Sequence, residues 1–506
     1  MSLDAALRIA GSGLAAVQRG LAQASQNVAN AETEGYTRKS VPQRSVTIGP
    51  DPAGVRSGEA ARAVDTALLA RLDASRASSA AAAQREALLT GIEQAHGDSG
   101  ETLADGLSDL RNAFTALRAA PADAGEQQAA VSVARTLAER LNTLSQAITD
   151  ARQQAQDDIV QQVKTANAAL RQVAALTERI RNGADGDTAT LEDRRDAAIA
   201  TLSESLGVQA VKREGGDVLL VAKGGVVLPL DPDRDLLATS GATVQPGSLH
   251  GASGTLPGVT LNGLDVTAQL TGGRLGEDLA LRDTTLPRYQ AEADLLAANL
   301  AARLDGQGLR LFTDSNGSSV PDTAQAYAGS SQVGFAGRIR VNPAVTANPA
   351  LLRDGTHAVT GSATGPSAFT PNPTGGPAGF TTLLDRVLDY GFGAEAAAGK
   401  PWPAIATTGL GPDGSLASPF AAPATLLDYA ARVTAAQTGD RATATAAKEQ
   451  SQALQTSLET RFAAQSGVNR DTEMANIVSL QNAYAANAKV LSTVQALFDT
   501  LLAAVR

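Results

Sequence analysis

The stretch LDAALRIAGSGLAAVQRGLAQASQNV, residues 3–28, carries apolar side chains at alternating steps of four and three. These positions are Leu3, Leu7, Ala10, Leu14, Val17, Leu21, Ala24 and Val28. Such spacing is the a/d pattern of a heptad repeat, which keeps one apolar stripe of a helix turned toward a partner helix. The stretch therefore predicts a long terminal helix that needs a partner.

A second stretch with the same spacing, IVSLQNAYAANAKVLSTVQALFDTLLAAV, covers residues 477–505. Its stripe consists of Ile477, Leu480, Tyr484, Asn487, Leu491, Val494, Phe498, Leu501 and Val505. The simplest prediction is that the two helices pair with each other in an antiparallel coiled coil and leave further apolar surface for neighbouring subunits. The alternative is two ordinary amphipathic helices packed on a globular domain.

Asn487 is the one polar residue in the second stripe. A polar side chain in an apolar seam can fix the register of two helices at some cost in stability. Alternatively, the seam shifts by one residue here, so that Asn487 faces solvent and Ala488 lies inside. The sequence leaves both interpretations open.

The composition sets broad limits. A chain of 506 residues should form two to four domains, and its 3% aromatic content favours long helices packed through small side chains. A net charge of −10 argues against nucleic acid or an anionic membrane as a partner. The absence of cysteine excludes disulfides, thiolate catalysis and cysteine metal ligands. We expect neither a cleaved signal peptide nor a membrane span, because no basic, apolar leader and no run of eighteen apolar residues occurs.

The middle of the chain changes its periodicity several times. Residues 59–182 predict long helices with a break at Pro121, and residues 183–187 predict a turn. Residues 191–206 predict a helix that ends at Gly207. Short strands follow at residues 208–212, 218–221 and 226–230. A helix is expected over residues 275–304, kinked or restarted at Pro287.

Residues 306–424 differ from the rest, since eleven of the 21 prolines fall between Pro343 and Pro423. Short strands such as residues 337–341 are expected there between long loops. The predicted fold class is mainly α with β insertions: a terminal coiled coil, a long-helix bundle and an outer irregular β-rich part. The predicted domains are 1–40 with 466–506 (coiled coil), 41–206 with 272–305 and 425–465 (helical middle domain), 207–271 (small β insertion) and 306–424 (outer Pro/Gly-rich β domain).

Patterns that could carry chemistry are weak. The three histidines, His96, His250 and His357, are far apart in sequence, so no metal-binding spacing occurs. Residues 409–414 match GxGxxG without a preceding strand, and residues 231–242 lack the Gly and Glu that a calcium loop needs. We interpret residues 194–196, Arg-Arg-Asp, as a surface or intersubunit charge cluster. We predict no catalytic residue, no metal site and no cofactor.

Residues 25–30, SQNVAN, followed by residues 35–38, GYTR, resemble the N-terminal motif of flagellar rod, hook and hook-associated proteins. Within this motif Asn27, Asn30, Gly35 and Tyr36 are candidate site residues. Asn30 suits local hydrogen bonding at a helix end, Gly35 allows a turn, and Tyr36 can anchor the extended segment that follows.

Three further stretches are similar to the hook-associated protein 1 family of the bacterial flagellum. They are residues 191–208, residues 272–287, and the C-terminal motifs at residues 466–469, 473–475, 481–484 and 486–489. The similarity covers nearly the whole chain except about residues 306–424.

The resemblance implies a structural role and no enzymatic activity. It implies a ring at the hook–filament junction, outside the cell, reached by flagellar type III export without a cleaved signal peptide. The implied partners are further copies of this chain, hook subunits, the second hook–filament junction protein, and an export chaperone at the C-terminus. A hook or rod subunit is the alternative within this class; an exported adhesin or enzyme with coiled-coil termini is the alternative from another class.

Overall fold

The computed structural model describes residues 3–33, 35–48, 51–97, 101–183, 188–251, 254–317 and 319–504. Long helices dominate it. They are α1 (Leu3–Ala29), α2 (Thr66–Ala95), α3 (Leu103–Ala119), α4 (Ala124–Asn182), α5 (Thr188–Leu206), α6 (Gly273–Ala280), α7 (Leu286–Gly306), α12 (Leu426–Ser466) and α13 (Arg470–Ala504). Four short helices lie between α7 and α12, namely α8 (Phe335–Arg338), α9 (Pro343–Ala347), α10 (Leu351–Asp354) and α11 (Thr382–Arg386).

The strands are short, and the described ladders are antiparallel. Near the N-terminus, β1 (Lys39–Ser40) pairs with β4 (Ala61–Arg62), and β2 (Gln43–Ile48) pairs with β3 (Asp51–Ser57). Two three-stranded sheets follow α5, with β6 and β9 as their central strands; they contain β5 (Val208–Lys212), β6 (Val218–Ala222), β7 (Val227–Leu228), β8 (Leu237–Ala238), β9 (Thr260–Leu261) and β10 (Leu264–Asp265). The remaining pairs are β11 (Phe312–Thr313) with β12 (Arg340–Val341), β13 (Glu395–Ala397) with β14 (Lys400–Pro401), and β15 (Thr408–Leu410) with β16 (Leu416–Ala417).

Two large hydrophobic cores hold the middle of the molecule together. The larger core joins α3, the first half of α4, α7 and the start of α12, with Phe114, Leu141 and Tyr429 fully buried. The smaller core packs the second half of α4 against α5, α6 and the β5–β7 sheet. Residues 306–424 contribute Phe312, Phe335 and many other side chains to the larger core. This segment therefore shares its core with the helices, because its short strands bury little area by themselves.

The helical predictions are largely confirmed, as is the mainly α fold class with β insertions. The chain turns at Pro121, and α5 ends at Gly207, whose φ of 62° lies in the left-handed region that glycine favours. A new helical segment starts beside Pro287, as one of the two predictions had it: Pro287 lies in the first turn of α7, directly after one wide π-helical turn, Leu281–Thr285. This wide turn accommodates a proline, which has no N–H to donate.

Other local predictions were wrong. Helical structure begins at Thr66, since residues 61–62 form β4, and α2 ends at Ala95 well before Pro121. Residues 335–338 form α8, so the predicted strand over residues 337–341 is reduced to β12. Most of the turn predicted for residues 183–187 lies outside the described residues. The predicted domain boundaries stay a prediction.

Candidate assembly site on the terminal helices

Helices α1 and α13 pack against each other in antiparallel orientation. A Cβ placed on Gly13 would lie 3.2 Å from Oδ1 of Asn487, and a Cβ on Gly20 would lie 3.3 Å from Cδ2 of Leu480. One heptad further along, Nδ2 of Asn27 donates to Oε2 of Glu473 at 3.3 Å. From each of these three contacts to the next, the position moves seven residues toward the C-terminus on α1 and seven residues toward the N-terminus on α13. This regular spacing is that of a coiled coil, so the predicted pairing is confirmed.

The predicted stripe of α1 lies to one side of this contact line. Gly13 and Gly20 immediately precede the stripe residues Leu14 and Leu21, and small residues allow two helices to approach closely. Three stripe residues of α1 are buried, namely Ala10, Val17 and Ala24, and the other five, Leu3, Leu7, Leu14, Leu21 and Val28, are half-buried. On α13, Val494 is buried, whereas Tyr484 and Leu501 are exposed. The other stripe residues in the described part of α13 are half-buried: Ile477, Leu480, Asn487, Leu491 and Phe498. Val505 lies outside the described residues.

Asn487 lies in the interface with α1. Its side chain faces Gly13, and its Nδ2 donates to the carbonyl of Ala483 at 3.0 Å, one turn earlier in α13. The amide thus satisfies its donor within its own helix while its oxygen lies beside the glycine. That Asn487 fixes the register of the pair stays a prediction.

The close approach at Gly20 gives a first testable prediction. Gly20→Leu should destabilise the α1–α13 pair by about 1–3 kcal/mol, because the larger side chain must displace Leu480. Gly11→Leu is the matched control, since nothing lies within 4 Å of a Cβ there and the helix gains propensity worth about 1 kcal/mol. The two variants are compared by thermal melts, followed by circular dichroism at 222 nm, roughly the wavelength of the helical minimum. Equal stability would show that α13 does not pack on this face of α1.

The hairpin β2–β3, which the sequence analysis missed, covers a second side of α1. The backbone N–H of Val55 donates to Oγ of Ser12 at 3.1 Å, and Ser12 donates onward to the carbonyl of Ile9 at 2.9 Å. A Cβ on Gly54 would overlap Oγ of Ser12, and Gly54 has a φ of 127°. Glycine is therefore needed where the hairpin crosses the helix. The Gly-Pro-Asp-Pro run at residues 49–52 was the available turn signal.

Asn27 is the centre of the hydrogen bonds at the end of α1. It is 1% exposed; its Nδ2 donates to the carbonyl of Lys39 at 2.8 Å, and its Oδ1 accepts from the backbone N–H of Lys39 at 3.2 Å. The hydroxyl of Tyr36 also donates to Oδ1 of Asn27, at 3.0 Å. The bond from Asn27 to Glu473 extends this network to α13. One amide thus joins α1, β1 and α13.

The other motif residues shape the loop after α1. Nδ2 of Asn30 donates to the carbonyl of Gln26 at 2.9 Å, and Gly35 has a φ of 75°. Nζ of Lys39 lies 3.9 Å from the centre of the Tyr36 ring. These contacts match the local functions that the sequence suggested for Asn30, Gly35 and Tyr36, while their role in assembly stays a prediction.

A buried ionic group, which we call the anchor cluster, ties this loop to α5. It consists of Thr37, Lys39, Arg62, Asp193 and Asp196. Asp193 lies 3.0 Å from Nζ of Lys39 and 2.8 Å from Nε of Arg62, and it accepts from the hydroxyl of Thr37 at 2.6 Å. Nη2 of Arg62 contacts Asp196 at 2.7 Å. Burial alone would lower the pKa of Arg62, but Asp196 and Asp193 together raise it above its ordinary value.

The interpretation of residues 194–196 as a surface charge cluster was wrong for two of the three residues. Arg195 is 2% exposed and donates to the carbonyl of Gly216 at 2.6 Å, and Asp196 belongs to the anchor cluster. Only Arg194 faces solvent. The partners of these side chains come from β4 and the β insertion, which adjacent residues in sequence could not reveal.

Sequence reasoning also missed Asp193 and Glu473 as organising residues. Glu473 is 3% exposed, and its Oε1 accepts from Nε of Arg38 at 2.7 Å. Since Arg38 belongs to the N-terminal motif, and Glu473 to a C-terminal motif, this ion pair connects the two motifs directly. The sequence signal for this ion pair was that one motif contains a basic residue and the other an acidic residue.

Comparison with known proteins finds similarity to proteins of the bacterial flagellum. Three family models match: the helical domain of flagellar hook-associated protein FlgK over residues 89–318, the C-terminal region of flagellar basal body rod FlgEFG proteins over residues 460–504, and flagella basal body rod protein over residues 7–37. Flagellar hook-associated protein 1 of Escherichia coli is 25% identical over 97% of this chain and 98% of its own length. The chain is thus similar to flagellar hook-associated protein 1 over nearly its whole length.

Further relatives give partial matches. The Bacillus subtilis protein is 27% identical over 47% of this chain and 50% of its own length. A solved structure, described as that of the flagellar hook junction protein FlgK from Burkholderia pseudomallei, is 25% identical, with a TM-score of 0.41 over 49% of this chain and 45% of that chain. The two rod-protein models overlap α1 and α13, and the matches together support a structural role in the bacterial flagellum.

None of the helices in the described part of the chain has the length and apolar character needed to cross a membrane.

Proposed function

We propose that this chain forms a ring at the junction between hook and filament and is required for filament attachment. The observation that carries the proposal is the apolar surface that α13 leaves uncovered. Seven large apolar side chains of α13 are 38–65% exposed: Met474, Val478, Tyr484, Val490, Leu497, Leu501 and Leu502. This many exposed apolar side chains along one helix are typical of surface that is buried on association.

The proposed partners follow from the family and from this surface. The half-buried stripe of α1 and the exposed side of α13 would pack against further copies of this chain in a closed ring. One edge of the ring would contact hook subunits and the other the second hook–filament junction protein. Before assembly, the same apolar face of α13 would be covered by an export chaperone. Delivery through the flagellar export channel, without a cleaved signal peptide, would place the protein outside the cell.

The exposed residues of α13 allow a test that leaves the fold intact. Leu497→Asp combined with Leu501→Asp places two charges on a surface that the proposal buries between subunits, where an unpaired charge is very costly. Cells with this variant are expected to build hooks, to lack attached filaments and to release unpolymerised filament protein. Electron microscopy and immunoblots of the medium measure both effects, and removal of residues 470–506 gives the reference for complete loss.

The matched control is Val227→Asp with Leu264→Asp, two comparably exposed apolar residues in the β insertion. This control should swim normally, because the proposal places no essential contact there. Normal filaments on the α13 variant would refute the role of this surface. Labelling of the protein along the whole hook or in the rod, instead of one band at the hook–filament boundary, would favour the alternative of a hook or rod subunit.

A further inference from the structure

A cavity of about 190 Å³ lies beside α7, between the loop around residue 325 and the loop around residue 405. Its lining includes Leu295, Arg303, Gln332, Trp402 and Ile405. It is partly open to solvent, since the neighbouring residues Ala404 and Ala406 are exposed. The residues that line the cavity are distant in sequence from the terminal helices. Assembly through α1 and α13 therefore does not explain why the cavity is there.

Arg303 is the unusual residue of this cavity. It is 2% exposed, its Nη1 makes only long hydrogen bonds to the carbonyls of Gly393 (3.3 Å) and Ala424 (3.4 Å), and its Nη2 is buried without a partner. Among the described residues, no carboxylate lies within salt-bridge distance of Arg303. Burial, the one cause of the shift, lowers the pKa of Arg303 to about 10, so the guanidinium is still charged at neutral pH.

Two other buried arginines of this protein, Arg282 and Arg152, are compensated. Arg282 is fully buried and forms a bidentate pair with Asp283, at 2.8 and 2.7 Å. Arg152 is 1% exposed, and four backbone carbonyls accept from its guanidinium. A buried charge ordinarily needs such partners. Arg303 therefore has an unfilled capacity to bind an anion.

The rest of the cavity restricts what the anion can be. The guanidinium carbon of Arg303 lies 5.4 Å from the centre of the Trp402 ring, while Leu295 and Ile405 supply apolar wall. Oε1 of Gln332, a fully buried side chain, has no hydrogen-bond donor. The unpaired Nη2 of Arg303 and the apolar wall suit a carboxylate with a short alkyl group. A phosphate fits less well, because its several charged oxygens need more hydrogen-bond donors.

We propose that this cavity is a binding site for a short aliphatic carboxylate. One carboxylate oxygen accepts from Nη2 of Arg303, and the alkyl group contacts Leu295 and Ile405. Arg303 and Trp402 stay stacked, so that the bound anion lies close to the indole. The site goes beyond the structural role in the flagellum and does not depend on the ring.

Trp402 makes the test direct, because it is the one tryptophan in the chain. Tryptophan fluorescence of the full-length protein is titrated with sodium propionate, with the neutral isostere propionamide, and with sodium chloride at equal ionic strength. Propionate should give a saturable change at a concentration about tenfold or more below that of propionamide, since a hydrogen bond to a charged group distinguishes the two ligands. Equal responses to propionate and propionamide would overturn the proposal and would indicate that the cavity holds only water.

Variants assign the effect to the arginine. Arg303→Met should abolish the propionate response, and Arg303→Lys should retain part of it. Arg310→Met is the matched control, because Arg310 is near in sequence, is 40% exposed and pairs with Asp305 outside the cavity lining. An unchanged propionate response in Arg303→Met would refute the site. Should that variant fail to fold, the comparison of propionate with propionamide on the unaltered protein decides the question.

Discussion

Asp193→Ala is expected to lower the free energy of unfolding by about 3–5 kcal/mol, the usual cost of removing one partner from a buried ionic group. The side chains of Lys39 and Arg62 are 1% and 5% exposed, and both contact Asp193 within 3.0 Å. Without this carboxylate two cations stay buried beside the hydroxyl of Thr37, which then lacks its acceptor. The loop after α1 should therefore detach from α5.

Glu192→Ala is the matched control for this prediction. Its side chain is 34% exposed and makes one contact with Arg62 at 3.3 Å, so its loss should cost less than about 1 kcal/mol. Urea unfolding measures the global effect, and hydrogen exchange of residues 35–62 measures detachment of the loop. If Asp193→Ala and Glu192→Ala are equally stable, the anchor cluster does not hold the terminal segment in place.

The second large effect is a loss of stability as the pH rises from 4 to 8. Asp278 is fully buried; one of its oxygens accepts from Nε2 of Gln84 at 2.6 Å, and the other has no partner. The same nitrogen of Gln84 donates to Asp158 at 2.7 Å, which brings a second carboxylate close. Burial, followed by the negative charge of Asp158, raises the pKa of Asp278 from 3.8 to about 8.

The direction of the effect follows from proton binding. Between pH 4 and pH 8 the folded state keeps a proton on Asp278 that the unfolded chain has lost, so stability decreases with rising pH. At about 1.4 kcal/mol per pKa unit, the loss is on the order of 5 kcal/mol over this range. Burial also raises the pKa values of Asp73 and Asp294 to about 6, which adds to the decrease between pH 4 and pH 6.

Asp278→Asn tests the assignment, because asparagine is neutral throughout and keeps an acceptor for Gln84. This variant should be more stable than the unaltered protein at pH 8 and should lose much less stability between about pH 4 and pH 8, the range between the unfolded and folded pKa values of Asp278. Urea unfolding at several pH values gives both curves. Asp265→Asn is the control, since Asp265 is 53% exposed on its side chain and hydrogen bonds to Thr267 lower its pKa. Parallel curves for Asp278→Asn and the unaltered protein would contradict the prediction.

The residues that the sequence predicted best are those whose neighbours lie one or two helical turns away. The apolar stripes of α1 and α13, the turn at Pro121 and the end of α5 at Gly207 depend on local periodicity, proline and glycine. Helix boundaries near β4 and α8 were predicted less well, because the segments there are short and take their conformation from tertiary contacts.

The candidate site was predictable in outline and not in detail. Periodicity indicated that the terminal helices pair, and the N-terminal motif included Asn27. Its contact with Lys39 spans only 12 residues, but its contact with Glu473 depends on a segment 446 residues away in sequence. The same holds for Asp193, which one sequence cannot connect with Arg62.

By itself the sequence determined the mainly α fold class, the two terminal helices and the resemblance to a flagellar family, because periodicity and short motifs are local properties. The tertiary structure decided which face of α1 meets α13: the small residues Gly13 and Gly20, beside the leucine stripe, allow Asn487 and Leu480 to approach closely. It also decided which charges are buried. In the sequence, Asp193, Asp278 and Arg303 cannot be told from charged residues on the surface. Only the packing of distant segments removes water from these three side chains. Once water is removed, the presence or absence of a partner for each charge strongly affects the free energy.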